Sequence, residues 1–219
     1  MMTQHHLDSS TLIGYSAGAL PRAFDVVVEA HLSICPACCE QLRVAQHIGG
    51  HLMSQQQGAA LPAGAREAML ARLSEKEPVV PVPRPPELRR PSANTLPEPL
   101  WPYFGETYGD LRWRTIGPGV HHIRARDVQD GHLMLLRLAP GRSVPMHSHG
   151  GNELTMILQG AYDDSLGHFA PGDVADLDGD VEHQPVTSPG VPCVCVAATD
   201  LPLRFSGRLA RMLQPLFKL

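Results

Sequence analysis

The chain has 219 residues and a formal net charge of −4, enough for one large domain or two small ones. Hydrophobic residues make up 43% and aromatics 5%, so a core is available, but no basic run exists to displace counterions from phosphate, which argues against direct nucleic-acid binding. No signal-peptide pattern follows Met1-Met2-Thr3-Gln4-His5-His6, no stretch approaches a bilayer crossing, and the five cysteines fall in two tight groups; the expectation is a cytoplasmic protein without a membrane segment, whose thiols bind metal or react in a reducing compartment.

The first 75 residues read as helices. Asp8, Ser9 or Ser10 can cap a first helix that places Leu12, Tyr15 and Ala19 on one face. Pro21 suits the first turn of a second helix, where Phe24, Val28 and His31 form a single stripe. Pro36 opens a third, with Leu42, Ala45, Gly49 and Leu52 facing inward, and a short fourth helix is expected near residues 65–73. From 78 to 102 the chain carries nine prolines, which remove backbone donors and favour extended polyproline conformation. A linker is therefore expected at residues 76–100.

The remainder, residues 101–219, reads as strands. Short apolar runs at 133–138, 154–158 and 194–198 alternate with Gly, Pro and Asp turns, which suggests a sandwich or barrel. A short helix is expected over 206–213. The fold class is thus multi-domain α plus β: a helical bundle followed by a β-sandwich or barrel.

Two constellations carry chemistry. The first is His31-x3-Cys35-x2-Cys38. His31 falls in the last turn of the second helix, Cys35 at the break before Pro36, and Cys38 in the first turn of the third helix. The partial positive charge of that helix N-terminus favours the thiolate that zinc requires. A closed tetrahedral site wants a fourth ligand. His6 or His5 could swing back to supply it, and Cys39 is a rival that points about 100° away. The same residues would also serve as a core histidine beside two buried free thiols. This segment resembles the signature of the zinc-containing anti-sigma factors, in which a small helical bundle binds zinc and sequesters a sigma factor of group IV, the extracytoplasmic-function (ECF) type.

The second constellation is Gly141-x5-His147-x-His149-x3-Glu153-x6-Gly160. His147 and His149 leave the same face of a strand, and Glu153 opens the next strand after the Gly150-Gly151-Asn152 turn. His183 would join them from a distant strand. Three imidazoles and one carboxylate suit zinc or another divalent transition metal. The segment resembles the first cupin motif without a mismatch. The second cupin motif is looser: Pro171-Gly172 departs from Pro-x-Gly, and His183 arrives late.

The pairing of the two parts is more specific than either alone. The whole chain resembles the ChrR-type family of zinc anti-sigma factors, with the resemblance extending through Leu111-Arg-Trp-Arg114, the Cys193-Val-Cys195 strand and the Gln214-Pro-Leu-Phe217 tail. The resemblance implies a non-enzymatic regulator. Its helical part would hold an ECF-type sigma factor, zinc would sit on His6, His31, Cys35 and Cys38, and the cupin would bind metal at His147, His149, Glu153 and His183. It further implies that the cupin is needed for release by singlet oxygen or peroxide, with a protease as a possible finishing partner. Cys193 and Cys195 face one side of a strand, about 6.5–7 Å apart, at the limit of a disulfide; they read as buried thiols or as a redox pair. The run Asp173, Asp176, Asp178, Asp180, Glu182 reads as a solvated loop at the cupin mouth, and Trp101 and Trp113 as core anchors. The rival reading is a dioxygenase-like cupin metalloenzyme with a regulatory zinc-binding head.

Overall fold

A computed structural model describes residues 3–74, 94–144, 146–179, 181–201 and 203–205; the side chains of residues 74, 148, 149 and 203–205 lie outside that description, as does the expected helix at 206–213. Four helices come first: α1 (Ser9–Ser16), α2 (Arg22–Leu32), α3 (Pro36–Ser54) and α4 (Ala65–Ser74). Asp8 is the residue that caps α1, its carboxylate accepting the Ser10 N–H at 2.7 Å. Pro21 stands just before α2 as its cap. Cys35 is extended (φ −109°, ψ 99°) before Pro36, which occupies the first turn of α3, as the steric restriction on a pre-proline residue requires.

Helix α2 departs from the one-stripe expectation. Phe24, Val28 and His31 are buried, but so are Ala23, Val26, Val27 and Ala30. A helix buried over most of its circumference needs more than one neighbour; Arg22, Asp25 and Glu29 line the face that stays partly exposed. Helices α1 and α3 cover part of the buried surface, and the segment at 94–104 together with strands of the β part covers the rest.

The linker boundary shifts for a related reason. Residues 75–93 lie outside the described residues, but residues 94–100 are folded, with Leu96 and Leu100 in the core. A 3-10 turn, Glu98–Leu100, runs into the short helix α5 (Trp101–Phe104). Pro99 and Pro102 each sit in a first turn, where no intrahelical N–H bond is lost. The indole N–H of Trp101 donates to the Leu96 carbonyl at 2.8 Å, and Arg22 donates to the Tyr103 hydroxyl at 3.3 Å. Trp101 and Trp113 are half-buried against the core rather than enclosed by it.

Eleven strands follow among the described residues: β1 (Arg114–Gly117), β2 (Val120–Arg124), β3 (His132–Leu138), β4 (His147–His149), β5 (Glu153–Gln159), β6 (Tyr162–Asp164), β7 (Gly167–Phe169), β8 (Val174–Leu177), β9 (Val186–Thr187), β10 (Cys193–Thr199) and β11 (Leu203–Phe205). One sheet has the order β1-β2-β3-β10-β5-β8; opposite it lie β11-β4 and β7-β6-β9. All these pairings are antiparallel. Every residue of β10 is buried, because its sheet is covered on both faces. Cys193, Cys195 and Ile157 face the sandwich interior with Tyr162 and Phe169. Val196, Ala198, Leu154, Met156, Leu133 and Leu135 belong to a second core shared with Phe24, Val27 and the other buried residues of α1, α2 and the start of α3. A strand buried on both faces reads as a continuous apolar run, and the 194–198 run is such a strand.

Both ends of α2 are tied to the sandwich. At its start the Ala23 N–H donates to the Asp130 carbonyl at 3.1 Å. At its end His31 Nδ1 lies 3.0 Å from the Gly172 carbonyl.

Candidate functional site

The N-terminal cluster is assembled from four pieces of backbone. The last turn of α2 supplies His31, the pre-proline break supplies Cys35, the first turn of α3 supplies Cys38, and the segment before α1 supplies His6. Their ligand atoms all lie within 4.8 Å of one another. His31 Nε2 is 3.3 Å from Cys38 Sγ, while His6 Nδ1 is 3.3 Å from Cys35 Sγ and 3.6 Å from Cys38 Sγ. For metal bonds of about 2.05 Å to nitrogen and about 2.3 Å to sulfur, a tetrahedron has N···S edges of about 3.6 Å. The donor set and its spacing therefore fit a single divalent ion.

Electrostatics prepare the two sides differently. His31 is fully buried, and desolvation lowers its pKa below the usual imidazole value, so the ring is neutral and able to ligate. Because Nδ1–H donates to the Gly172 carbonyl, Nε2 is the free nitrogen, and it is the one facing Cys38. Burial pushes the Cys38 thiol up, to about 11, against a lowering contact from the Leu7 backbone and with Cys35 and Cys39 also opposing its ionisation. The lowering expected from the helix N-terminus is outweighed by desolvation. An ion entering the site would displace that proton.

Of the two N-terminal histidines, His6 joins the cluster. His5 stacks on Phe169, ring centroids 4.1 Å apart. Cys39 is exposed and donates to the Leu32 carbonyl.

In the sandwich, His147 and His183 face each other across two backbone hydrogen bonds of 3.2 and 3.1 Å, their rings 4.6 Å apart. Both are buried, as is Glu153 at the start of β5. The late position of His183 in sequence thus does not keep it from His147. Sequence reasoning missed their supports. Asp164, its side chain fully enclosed, lies 3.1 Å from His183 Nδ1. Thr155 Oγ1 donates to Glu153 Oε1 at 2.8 Å; its place two residues after Glu153, on the same strand face, was the available signal. The His149 side chain lies outside the described residues, and its backbone pairs with Leu203. His147, His183 and Glu153 are the donor types a divalent transition metal takes.

The cysteines of β10 are buried among apolar side chains. Burial pushes Cys193 up to about 12 and Cys195 well above the usual thiol value, so both are protonated. The acidic run is not uniformly a solvated loop. Asp173 is 3% exposed and accepts backbone N–H groups from Gln4, His5 and Ala170. Asp176 lies on β8 and accepts from the Asp8 N–H.

The molecule is thus a cupin-type sandwich carrying a helical head with a His2Cys2 cluster whose donor types and spacing fit a metal ion. The ChrR Cupin-like domain family matches residues 106–201. The chain is 37% identical to the anti-sigma-E factor ChrR of Cereibacter sphaeroides, across 100% of both sequences. It superimposes on the anti-sigma chain in the crystal structure of Rhodobacter sphaeroides SigE in complex with ChrR, with a TM-score of 0.72 and 34% identity over 91% of this chain and 100% of that one. An RmlC-like cupin protein from Ralstonia eutropha gives a TM-score of 0.41 at 18% identity, over 47% of this chain and 71% of that one. The chain belongs to the ChrR family of anti-sigma factors. No helix among the described residues is long and apolar enough to cross a membrane.

Proposed function

We propose that this protein holds an ECF-type sigma factor inactive in the cytoplasm through its helical head, residues 1–75, and that the cupin part, residues 101–219, governs release on exposure to singlet oxygen or organic peroxide. The carrying observation is an uncovered apolar surface. Leu42 and Ala45 on α3 are half-buried, but Gly49 and Leu52, expected to face inward, are exposed. Val44, Ile48 and Leu52 are 50–57% exposed at i, i+4 and i+8, so they form one stripe; Met53, Met69, Leu70 and Leu73 are exposed as well. An exposed apolar stripe such as that on α3 marks a partner site. The full-length likeness to a chain crystallised with a sigma factor supports the identity of the partner.

In this reading zinc occupies His6, His31, Cys35 and Cys38 as a structural clamp that fixes α2, α3 and the N-terminal segment relative to one another. The cupin holds zinc or another divalent metal at His147, His149, Glu153 and His183. The head acts by occlusion, and the sigma factor's surfaces for polymerase are masked without chemical turnover. Competing with polymerase calls for an interface of roughly 2,000 Å² or more. Proteolysis would complete release.

Co-expression with the cognate sigma factor tests this. The expected product is a stable heterodimer that fails to bind core polymerase, lost in the Cys35→Ser/Cys38→Ser variant. His147→Ala/Glu153→Ala should sequester normally but fail to induce. A zinc-loaded head without affinity for the sigma factor would refute the proposal.

A further inference from the structure

The segment that supplies His6 is held by the sandwich. Asp173 Oδ1 accepts the N–H of Gln4 at 2.7 Å and of His5 at 3.1 Å, while Oδ2 accepts that of Ala170 at 2.9 Å. The Val174 N–H donates to the His5 carbonyl at 3.3 Å. His5 stacks on Phe169, and its Nε2 lies 3.1 Å from the His168 carbonyl. Asp8 is anchored in turn by its N–H to Asp176 at 3.0 Å. His6 is strung between these anchors.

The neighbouring residue of the same turn serves a second member of the cluster, since the Gly172 carbonyl accepts from His31 Nδ1 at 3.0 Å. Gly172 has φ +99°, and a Cβ there would meet Ile34 at 3.2 Å and Thr3 at 3.4 Å. Glycine is thus needed both for the backbone and for the close approach of the head. The turn itself is fixed to β5: the Gly172 N–H donates to the Ile157 carbonyl at 2.8 Å, and the Ile157 N–H to the Asp173 carbonyl at 3.0 Å.

We propose that the cupin turn at 170–174 is the outer support of the N-terminal metal site, with Asp173 the positioning residue for His6 and the Gly172 carbonyl that for His31, so that the sandwich sets how tightly the head retains its ion. Two of the four candidate ligands then depend on the head alone, Cys35 and Cys38, and two depend on the cupin. Removing hydrogen-bond partners that orient metal ligands typically costs about 10–100-fold in affinity. The inference rests on the cluster holding zinc.

The test uses the full-length zinc-loaded chain, challenged with excess chelator and a thiol-alkylating reagent. Labelling at Cys35 and Cys38, resolved by fragment-ion mass spectrometry from labelling at the adjacent exposed Cys39, reports release of the ion. Asp173→Asn is expected to speed labelling about 10–100-fold. His5→Ala, which removes the strap's stacking on Phe169 but no side chain of the sandwich itself, should speed it several-fold and guards against a folding defect in the first variant. In the cobalt-substituted protein, the thiolate-to-metal absorption should be lost at correspondingly lower chelator concentrations. Labelling within twofold of the parent chain in both variants overturns the inference. Cys35 and Cys38 thiols that react as fast as Cys39 in the zinc-loaded parent chain would instead remove the metal reading itself, and this inference with it.

Discussion

Gly131 offers the sharpest test of the seam between head and sandwich. It has φ +80°, and a Cβ built there would lie 3.0 Å from Ala23 Cβ, 3.2 Å from the Thr199 carbonyl oxygen and 3.6 Å from Pro21 Cβ. Gly131→Ala therefore imposes two costs. The left-handed backbone conformation costs about 1–2 kcal/mol for a residue with a side chain. The methyl wedge against the start of α2 adds about 1–3 kcal/mol as overpacking, for a total of about 2–5 kcal/mol. Gly141→Ala separates the two, because Gly141 has φ +65° with nothing within 4 Å of a Cβ; only the backbone cost, about 1–2 kcal/mol, is expected there. Urea unfolding of both variants measures the difference, which should be about 1–3 kcal/mol. Equal destabilisation of the two, within about 0.5 kcal/mol, would show that α2 is not seated on the β2–β3 turn in solution, and the shared core described above would be wrong.

Four further outcomes follow from the geometry. Ile48→Asp with Leu52→Asp should weaken sigma-factor binding at least about 30-fold, the equivalent of about 2 kcal/mol at a central contact, with little change in the melting temperature because both side chains are exposed; calorimetric titration checks it. Asp164→Asn should weaken metal binding in the sandwich about 10–100-fold while the Cys35/Cys38 thiols remain protected from alkylation. Burial lowers the His31 pKa, so the folded state favours the neutral ring. Its contribution to stability is full above the unfolded value of about 6.5 and is lost as pH falls below it toward the folded value; metal retention, measured by indicator dye, should decline in the same direction. Cys38→Ser should weaken the thiolate absorption of the cobalt-loaded head, leaving Cys35 as the remaining thiolate of the cluster, and persistence of that band at parental intensity would remove Cys38 from the cluster.

Much of the local structure was legible in the sequence because it depends on local chemistry. Pro36 dictated both the start of α3 and the extended Cys35, and the His31, Cys35 and Cys38 spacing then placed three donors at one junction. The strands around 133–138, 154–158 and 194–198 were legible from apolar runs between turns. What escaped reading depends on contacts between distant segments. The valines at 26 and 27 look like solvent-facing positions only if α2 has one neighbour; the large sheet supplies a second. Asp173 looked like one carboxylate in a polar run, yet its partners are backbone N–H groups about 170 residues away. Pro97, Pro99 and Pro102 resembled linker residues because composition does not distinguish an extended spacer from a proline in a helix first turn. Leu52 and Gly49 were assigned inward by periodicity, but α3 extends beyond the elements that could cover it, and an apolar stripe awaiting a partner has the same period as one already buried.

The position of α2 constrains how any signal in the cupin can reach the head. The helix forms the wall between the two, carrying His31 at one end and resting on β10, β5 and β3 along its length. β5 begins with Glu153, and its register with β8 runs Glu153 to Leu177, Leu154 to Asp176 and Met156 to Val174, ending at the turn that holds Asp173. In the proposed function, a change of ligation at Glu153 would therefore act on the strand to which that turn is bonded. A shift from 1:99 to 99:1 between closed and released states needs about 5.5 kcal/mol of differential free energy. Two N–H bonds to a buried carboxylate, at about 1.5–3 kcal/mol each, supply about 3–6 kcal/mol. Detachment of the strap alone is thus of the right size to carry the proposed release, whereas an ion pair on the head that stands in water, such as Arg43 with Glu40, is screened by solvent and salt and is not.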